Sequence, residues 1–288
     1  MTLTAVVAVV VAFALDAAVA EPPARLHPVT WFGHVVDACD RPWRYPRLTG
    51  GLVAGALPLT AAVTAGATIT LGSDLTTSNS ITAVVVLGGL SGLWLFATTS
   101  RRMLIDVTRE VLDDVETDPD RARDSIRALV GRDTTALSPG ELRSGAVESA
   151  SENLADGLVA PLLAFAIGAH LSLSVAVAAA VWVKAVNTLD SMLGYPAKPH
   201  GTASARLDDL VMWVPARVSA ALLSIAAVDF AAPVRAAQWA HAPPSPNSGW
   251  PMATLATILD VRLTKPGVYT LNGAADLPTA DRDRKSVV

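Results

Sequence analysis

Residues 81–99 read ITAVVVLGGLSGLWLFATT, an apolar run without one charged side chain, and Ser100 then leads into Arg101 and Arg102. A helix of that length extends about 28 Å at 1.5 Å per residue, close to the ~30 Å of a bilayer's hydrocarbon core. Only a helix satisfies its own backbone polar groups over such a run. Working outward, residues 50–72 and 2–20 form two further apolar blocks. The link at 73–80 carries one acid and no base, whereas Arg25, Arg41, Arg44 and Arg47 fill 21–47 and seven arginines fill 101–132. Basic loops stay in the cytoplasm, which puts both arginine-rich regions inside and the 73–80 loop outside. Asp16 lies within the first block. A carboxylate there marks either a functional position or the interface.

The second half is less regular. Residues 157–183 are apolar but hold Pro161, Gly168 and His170. They read either as one tilted span or as two short helices that dip into the membrane and return. Residues 210–230 are apolar again, with Pro215 and Arg217 inside the block. An arginine at that depth calls for a protein or polar surround rather than lipid. The fold class that follows is all-α, a polytopic membrane helical bundle with cytoplasmic polar helices and loops. One membrane-embedded domain is expected over residues 1–270, with a polar tail over 271–288 ending in ADRDRKSVV.

Composition agrees. Of the 288 residues, 51% are hydrophobic and 17% charged, against about 25% charge in soluble domains. A net charge of −4 gives no basic surface for nucleic acid. Cys39 is the only cysteine, so no internal disulfide and no cysteine-based zinc motif is expected.

Polar islands interrupt the apolar blocks. Gly131-Arg132-Asp133-Thr134 is a turn or an anion-binding loop. From Ser138, a natural N-cap with Pro139 in the first turn and Glu141 completing a capping box, a helix is expected to carry Glu148, Glu152 and Asp156 on one face. Like charges at that spacing repel, and the face suits a magnesium ion or a proton-handling group. The neutral neighbours Ser149 and Asn153 support that reading over a solvated face. Lys184, Asn187 and Ser191 line one side of a helical segment, with Asp190 alongside. Asp208 and Asp209, flanked by Arg206 and Arg217, suit a hard cation and phosphate oxygens. A rigid loop presents Asn247 and Trp250.

In order along the chain, the strings GRDT, ESxSENLxDGxVAP, VNTLDSMxGY, SARLDDLxxWxPAR and PSPNxGWPMA, with LDxxxxEPPxRxHPVxxxG from Leu15 to Gly33, resemble the adenosylcobinamide-phosphate synthase family, the CobD/CbiB cobalamin biosynthesis proteins. The chain departs from the family at Ala20-Glu21, where Gly-Asp is frequent, and in a short stretch from Tyr195 to Ser204. The resemblance implies an ATP-dependent ligase that joins an aminopropanol or ethanolamine phosphate to a propionate carboxylate of adenosylcobyric acid. ATP and Mg²⁺ are the expected co-substrate and cofactor. The expected partners are the corrinoid, the amino-alcohol phosphate, membrane lipid and the other late-pathway membrane enzymes. The site is expected on the cytoplasmic side of the cell membrane. Asp208 and Asp209 would hold the metal. Arg132, Arg206 and Arg217 would hold phosphate. Glu148, Glu152, Asp156 or Asp190 would take the amine's proton. Asp133, Asn153, Lys184, Asn187, Ser191 and Asn247 would position substrate. A membrane transporter or a corrinoid-binding membrane protein is the alternative, since buried acids beside broken helices also bind transported ions.

Overall fold

A computed structural model describes residues 2–76, 80–127 and 134–280. The first block folds as α1, Thr2–Val19, which ends where Ala20 turns left-handed at φ 64° ahead of Pro22 and Pro23. Residues 28–39 form α2, Pro28–Cys39, opened by His27, whose Nδ1 accepts the Val29 amide at 3.2 Å. Two long apolar helices follow, α3, Pro46–Asp74, and α4, Ile81–Thr98. Two polar helices come next, α5, Arg101–Thr117, and α6, Pro119–Ile126. The expected helix after Ser138 is α7, Pro139–Leu154, with both halves of the capping box formed. A π turn over Ala155–Val159 leads into α8, Ala160–Ala169. Next are α9, Leu173–Leu193, and α10, Thr202–Val211. The last helices are α11, Trp213–Ala226, α12, Ala232–Ala236, and α13, Gly249–Leu259. An antiparallel hairpin, β1, Leu263–Lys265, and β2, Tyr269–Leu271, closes the order.

Among the described residues, four helical stretches are long and apolar enough to cross a membrane: Pro46–Asp74, Ile81–Thr117, Pro139–Ala169 and Leu173–Leu193. A fifth exists only if Pro199–Val211 and Trp213–Ala226 count as one broken span. The molecule is thus an all-α multi-pass membrane protein. Three details differ from the sequence reading. The apolar part of the first block, Leu3–Val19, is a shorter helix than a full span, because Ala20 and the prolines stop it. The 157–183 block is neither one span nor two short arms. It breaks at His170–Ser172, where Ser172 Oγ caps α9 by accepting the Val175 amide at 3.1 Å, and α9 then runs on to Leu193. At 1.5 Å per residue α9 is about 31 Å long, a full crossing. The 210–230 block is split at Met212, with Pro215 tolerated in the first turn of α11.

The chain divides into two compact units. The first, Met1–Arg102 with Asp156–Met212, holds a core of Ile69, Leu95, Phe96, Phe165 and Val177, and a second cluster around Val36, Leu189 and Leu193. Its helices approach through small residues, the rule in lipid where burial alone drives little. A Cβ on Gly88 would come within 2.6 Å of Val7, and one on Gly92 within 2.7 Å of Val11, so α1 and α4 run parallel in near backbone contact. Asp16 is 2% exposed and accepts bonds from Arg101 Nε at 2.9 Å and the Arg102 amide at 3.0 Å. The carboxylate buried in the first block therefore ties α1 to the start of α5.

The second unit, Met103–Ala155 with Trp213–Val288, packs Val147, Met252, Leu255, Leu259, Leu263 and Leu271 into one core, and Val111, Val115, Ile126 and Leu142 into another. The Lys265 carbonyl accepts the Val268 amide at 2.9 Å around Pro266 and Gly267, the latter at φ 74°, the geometry of a type II turn. Leu271 is fully buried in this core, and the Asp276 carbonyl accepts the Arg262 amide at 2.7 Å. The start of the expected tail is therefore folded. Its last residues, 281–288, lie outside the described residues.

Candidate functional site

In the first unit, three successive elements bring the predicted acids and amides together. The π turn presents Asp156, α9 presents Lys184, Asn187 and Asp190, and the C-terminal half of α10 presents Asp208 and Asp209. Asn187 is the junction. Its Nδ2 donates to Asp156 Oδ2 at 2.9 Å, and its amide also lies close enough to Asp208 to favour that carboxylate electrostatically. Asp156, Asp190 and Asp209 all lie within electrostatic range of Asp208. Asp208 Oδ1 and Asp190 Oδ1 are buried and have no hydrogen-bond partner among the described residues. Asp208 and Asp209 stand in the last turn of α10, the negative end of the helix dipole, where acids are disfavoured.

Other groups frame the cluster. Lys184 lies between Asp156 and Glu21. Burial raises the Glu21 carboxyl, Lys184 draws it down and Asp16 adds to the rise. Burial and Lys184 both lower His27. A cavity of about 340 Å³ opens beside Lys184, walled by Trp31, Phe32, Thr64, Trp94 and Thr188. Gly194 is required next to Asp190, since a Cβ there would overlap Asp190 Oδ1. Ser191 spends its hydroxyl on the Asn187 carbonyl at 2.9 Å, and Arg206 is exposed.

The second unit holds the remaining candidates. Glu148 is 5% exposed. Its Oε1 accepts Ser144 Oγ at 2.7 Å and its Oε2 accepts the Tyr269 hydroxyl at 2.8 Å. Ser144 Oγ in turn accepts the Thr264 amide at 2.7 Å, so Glu148 anchors the β hairpin to α7. Glu152 is partly buried, and Asn153 bonds back to the Ser149 carbonyl at 3.0 Å. Arg217 Nη1 donates to the Trp213 carbonyl at 2.8 Å and to Asn247 Oδ1 at 3.0 Å. Arg132 and Asp133 lie outside the described residues. Among the described residues no group of three or more His, Cys, Asp and Glu side chains is placed to hold a metal ion.

Glu21 and Tyr269 are the groups that reading the islands one by one passes over. Glu21 had a signal, an acid set directly before Pro22-Pro23 in the opening motif.

A family model described as CobD/Cbib protein matches residues 9–287. The chain belongs to this family. Among curated CobD/Cbib relatives, the probable cobalamin biosynthesis protein CobD of Methanothrix thermoacetophila is 36% identical over 91% of this chain and 84% of its own. The cobalamin biosynthesis protein CobD of Photorhabdus laumondii is 35% identical over 90% and 82%. The probable CobD of Archaeoglobus fulgidus is 32% identical over 96% and 88%. No solved structure matches the chain. CobD/Cbib membership gives this protein a role in cobalamin biosynthesis.

Proposed function

We propose that this CobD/Cbib protein is an adenosylcobinamide-phosphate synthase. It would join the amine of (R)-1-amino-2-propanol phosphate, or of ethanolamine phosphate, to a propionate carboxylate of adenosylcobyric acid. The observation that carries the reading is the carboxylate–amide cluster of Asp156, Asn187 and Asp208, built on motifs of the family the chain belongs to. A carboxylate is a poor electrophile, so its oxygen attacks the γ-phosphorus of ATP and ADP departs. The amine then attacks the acyl carbon, and inorganic phosphate leaves. The ammonium proton must first pass to a base within hydrogen-bond reach.

Asp190 suits that role best among the four acids, because its Oδ1 is free of hydrogen bonds among the described residues. Glu148 already accepts two hydroxyl donors. Mg²⁺ commonly takes one or two carboxylates and completes its shell with phosphate and water. The unpartnered Asp208 Oδ1 with Asp209 beside it fits that demand. The ion would neutralise phosphate charge during transfer. Lys184 and Arg206 supply cations for anionic substrate groups in the first unit, and Arg217 supplies one in the second; the acid cluster is proposed to face the cytoplasm, where ATP is.

The test is a ligation assay on the detergent-purified protein with adenosylcobyric acid, aminopropanol phosphate, Mg²⁺ and ATP, read by mass spectrometry. A mass gain of one amide-linked aminopropanol phosphate, absent without ATP, is expected. No product from folded protein with either amino-alcohol phosphate would overturn the reading and favour transport or corrinoid binding.

A further inference from the structure

We infer that Arg217, Trp250 and the N-terminus of α13 form a cradle for one phosphate monoester, the phosphate of the amine substrate rather than a phosphate of ATP. The inference rests on the ligase reading and names the ligand of one part of it.

Arginine stays protonated in proteins, and a buried or half-buried guanidinium needs an anion. Elsewhere in this unit arginines have one: Arg143 pairs with Glu116 at 2.7 Å and Arg121 with Glu110 at 2.9 Å. Arg217 instead meets two neutral oxygens, both through Nη1, and among the described residues no carboxylate pairs with it. Its guanidinium lies 4.3 Å from the Trp213 ring centre and 5.1 Å from that of Trp250. Two indole faces hold the fork in place and limit its access to water, leaving Nε and Nη2 to receive an anion.

A second donor stands beside it. Trp250 Nε1 is buried with no acceptor among the described residues, a state that costs stability unless something binds there. The third feature is the helix end. Arg217 is bonded to Asn247, the residue just before Ser248, the N-cap of α13, and this 11-residue helix starts with no side-chain cap bond. A helix N-terminus attracts negative charge. Gly249 fixes the approach, because any Cβ there would overlap the Ala240 carbonyl. The loop Pro244–Ala253 thus has a physical purpose: it sets an indole N–H and a helix end against one guanidinium.

One guanidinium, one N–H and one helix end match a single small dianion. A triphosphate spreads its charge over three groups and is met by metal ions and several cations. A carboxylate offers the same oxygens with half the charge, so the test includes one.

The measurement is equilibrium binding to the full-length protein in detergent, with O-phosphoethanolamine, inorganic phosphate, propionate and ATP as probes. Wild type should bind the two phosphates and bind propionate more weakly. Arg217→Met should weaken O-phosphoethanolamine about 10- to 100-fold, the size of a lost charge-assisted pair of bonds. Trp250→Phe keeps one aromatic ring and removes the N–H together with the five-membered ring that carries it. It should weaken binding about 3- to 10-fold while the protein stays folded, since no internal hydrogen bond is lost. ATP affinity should stay within about twofold for both variants. Arg235→Gln, which removes a guanidinium already held by Asp229 at 3.1 Å, should bind every probe as wild type does. Unchanged phosphomonoester affinity in folded Arg217→Met and Trp250→Phe, or an equal loss for ATP, would overturn the cradle. Arg217-dependent phosphate binding in a protein that yields no ligation product would sink the ligase reading and leave the cradle standing. If Arg217→Met does not fold, Trp250→Phe decides alone.

Discussion

Asn187 shows how much one neutral side chain carries. It bonds to Asp156 and acts electrostatically on Asp208. An amide there lets two carboxylates share a confined space without a cation between them. Replacing it with the isosteric acid removes the donor and adds a third negative charge. Asn187→Asp is expected to lose roughly 1–3 kcal/mol of stability, the penalty of leaving such acceptors unpaired. Ligation should fall about 100-fold or more, since the acids would no longer hold their arrangement. A melting curve in detergent with the mass-spectrometric rate checks both. Full activity in the variant would show that the cluster plays no part in the chemistry. The faces of this site were legible, because Lys184, Asn187 and Ser191 are set at helical spacing. The partners were not. Glu21 meets Lys184, and Tyr269 meets Glu148, across sequence distances that no periodicity encodes.

At the scale of elements, the local rules that could be read were those with a local cause. Ser138 and Glu141 close a capping box within one turn, and it stands as expected. The π turn at Ala155–Val159 has no local marker, and it carries Asp156 off the regular four-residue face expected from Glu148 and Glu152. The break at Met212 holds neither Gly nor Pro. The β hairpin did have a signal, Pro266-Gly267, near the end of the expected domain and just ahead of the segment read as tail. The loop between α9 and α10 is also held from afar. Asp40, at the C-terminus of α2, accepts from Lys198 and lies 3.0 Å from His200 Nε2. The Lys198 bond, opposed by burial and helped by a smaller share from His200, lowers the Asp40 carboxyl below its ordinary value. A depressed carboxylate contributes stability that is full above its unfolded pKa, about 4, and is lost as pH falls through the folded value. The groups are partly exposed, so the contribution is small. Asp40→Asn should melt about 1–3 °C below wild type at pH 7. The two proteins should converge below about pH 4. A gap that persists at low pH would assign the effect to packing rather than charge.

For the molecule as a whole, the helices of the first unit fix which loops share an end. Thr70 near the end of α3 meets Ser174 at the start of α9, with the hydroxyls 3.0 Å apart. Gly50 near the start of α3 packs on His200 beyond the end of α9. Leu75 and Thr76 after α3 and the His170–Ser172 turn therefore lie at one end, and the 194–201 loop at the other. Because α1 and α4 run parallel, Arg101 and Arg102 share the second end with Arg41, Arg44, Arg47 and Lys198, while Asp74 stands at the first. By the positive-inside rule the basic end of such a unit is expected in the cytoplasm, and the acids at the C-terminal part of α9 with it. Cys39→Ser gives a background with no cysteine, since Cys39 is the only one. On it, single cysteines at Leu75, Leu171 and Ala197, all exposed, report the two ends. A membrane-impermeant maleimide should label Leu75→Cys and Leu171→Cys in intact cells, and Ala197→Cys only after permeabilisation. Labelling of Ala197→Cys from outside would put Asp190 and Asp208 away from cytoplasmic ATP. The proposed ligation would then lack its co-substrate, whatever the geometry of the cluster.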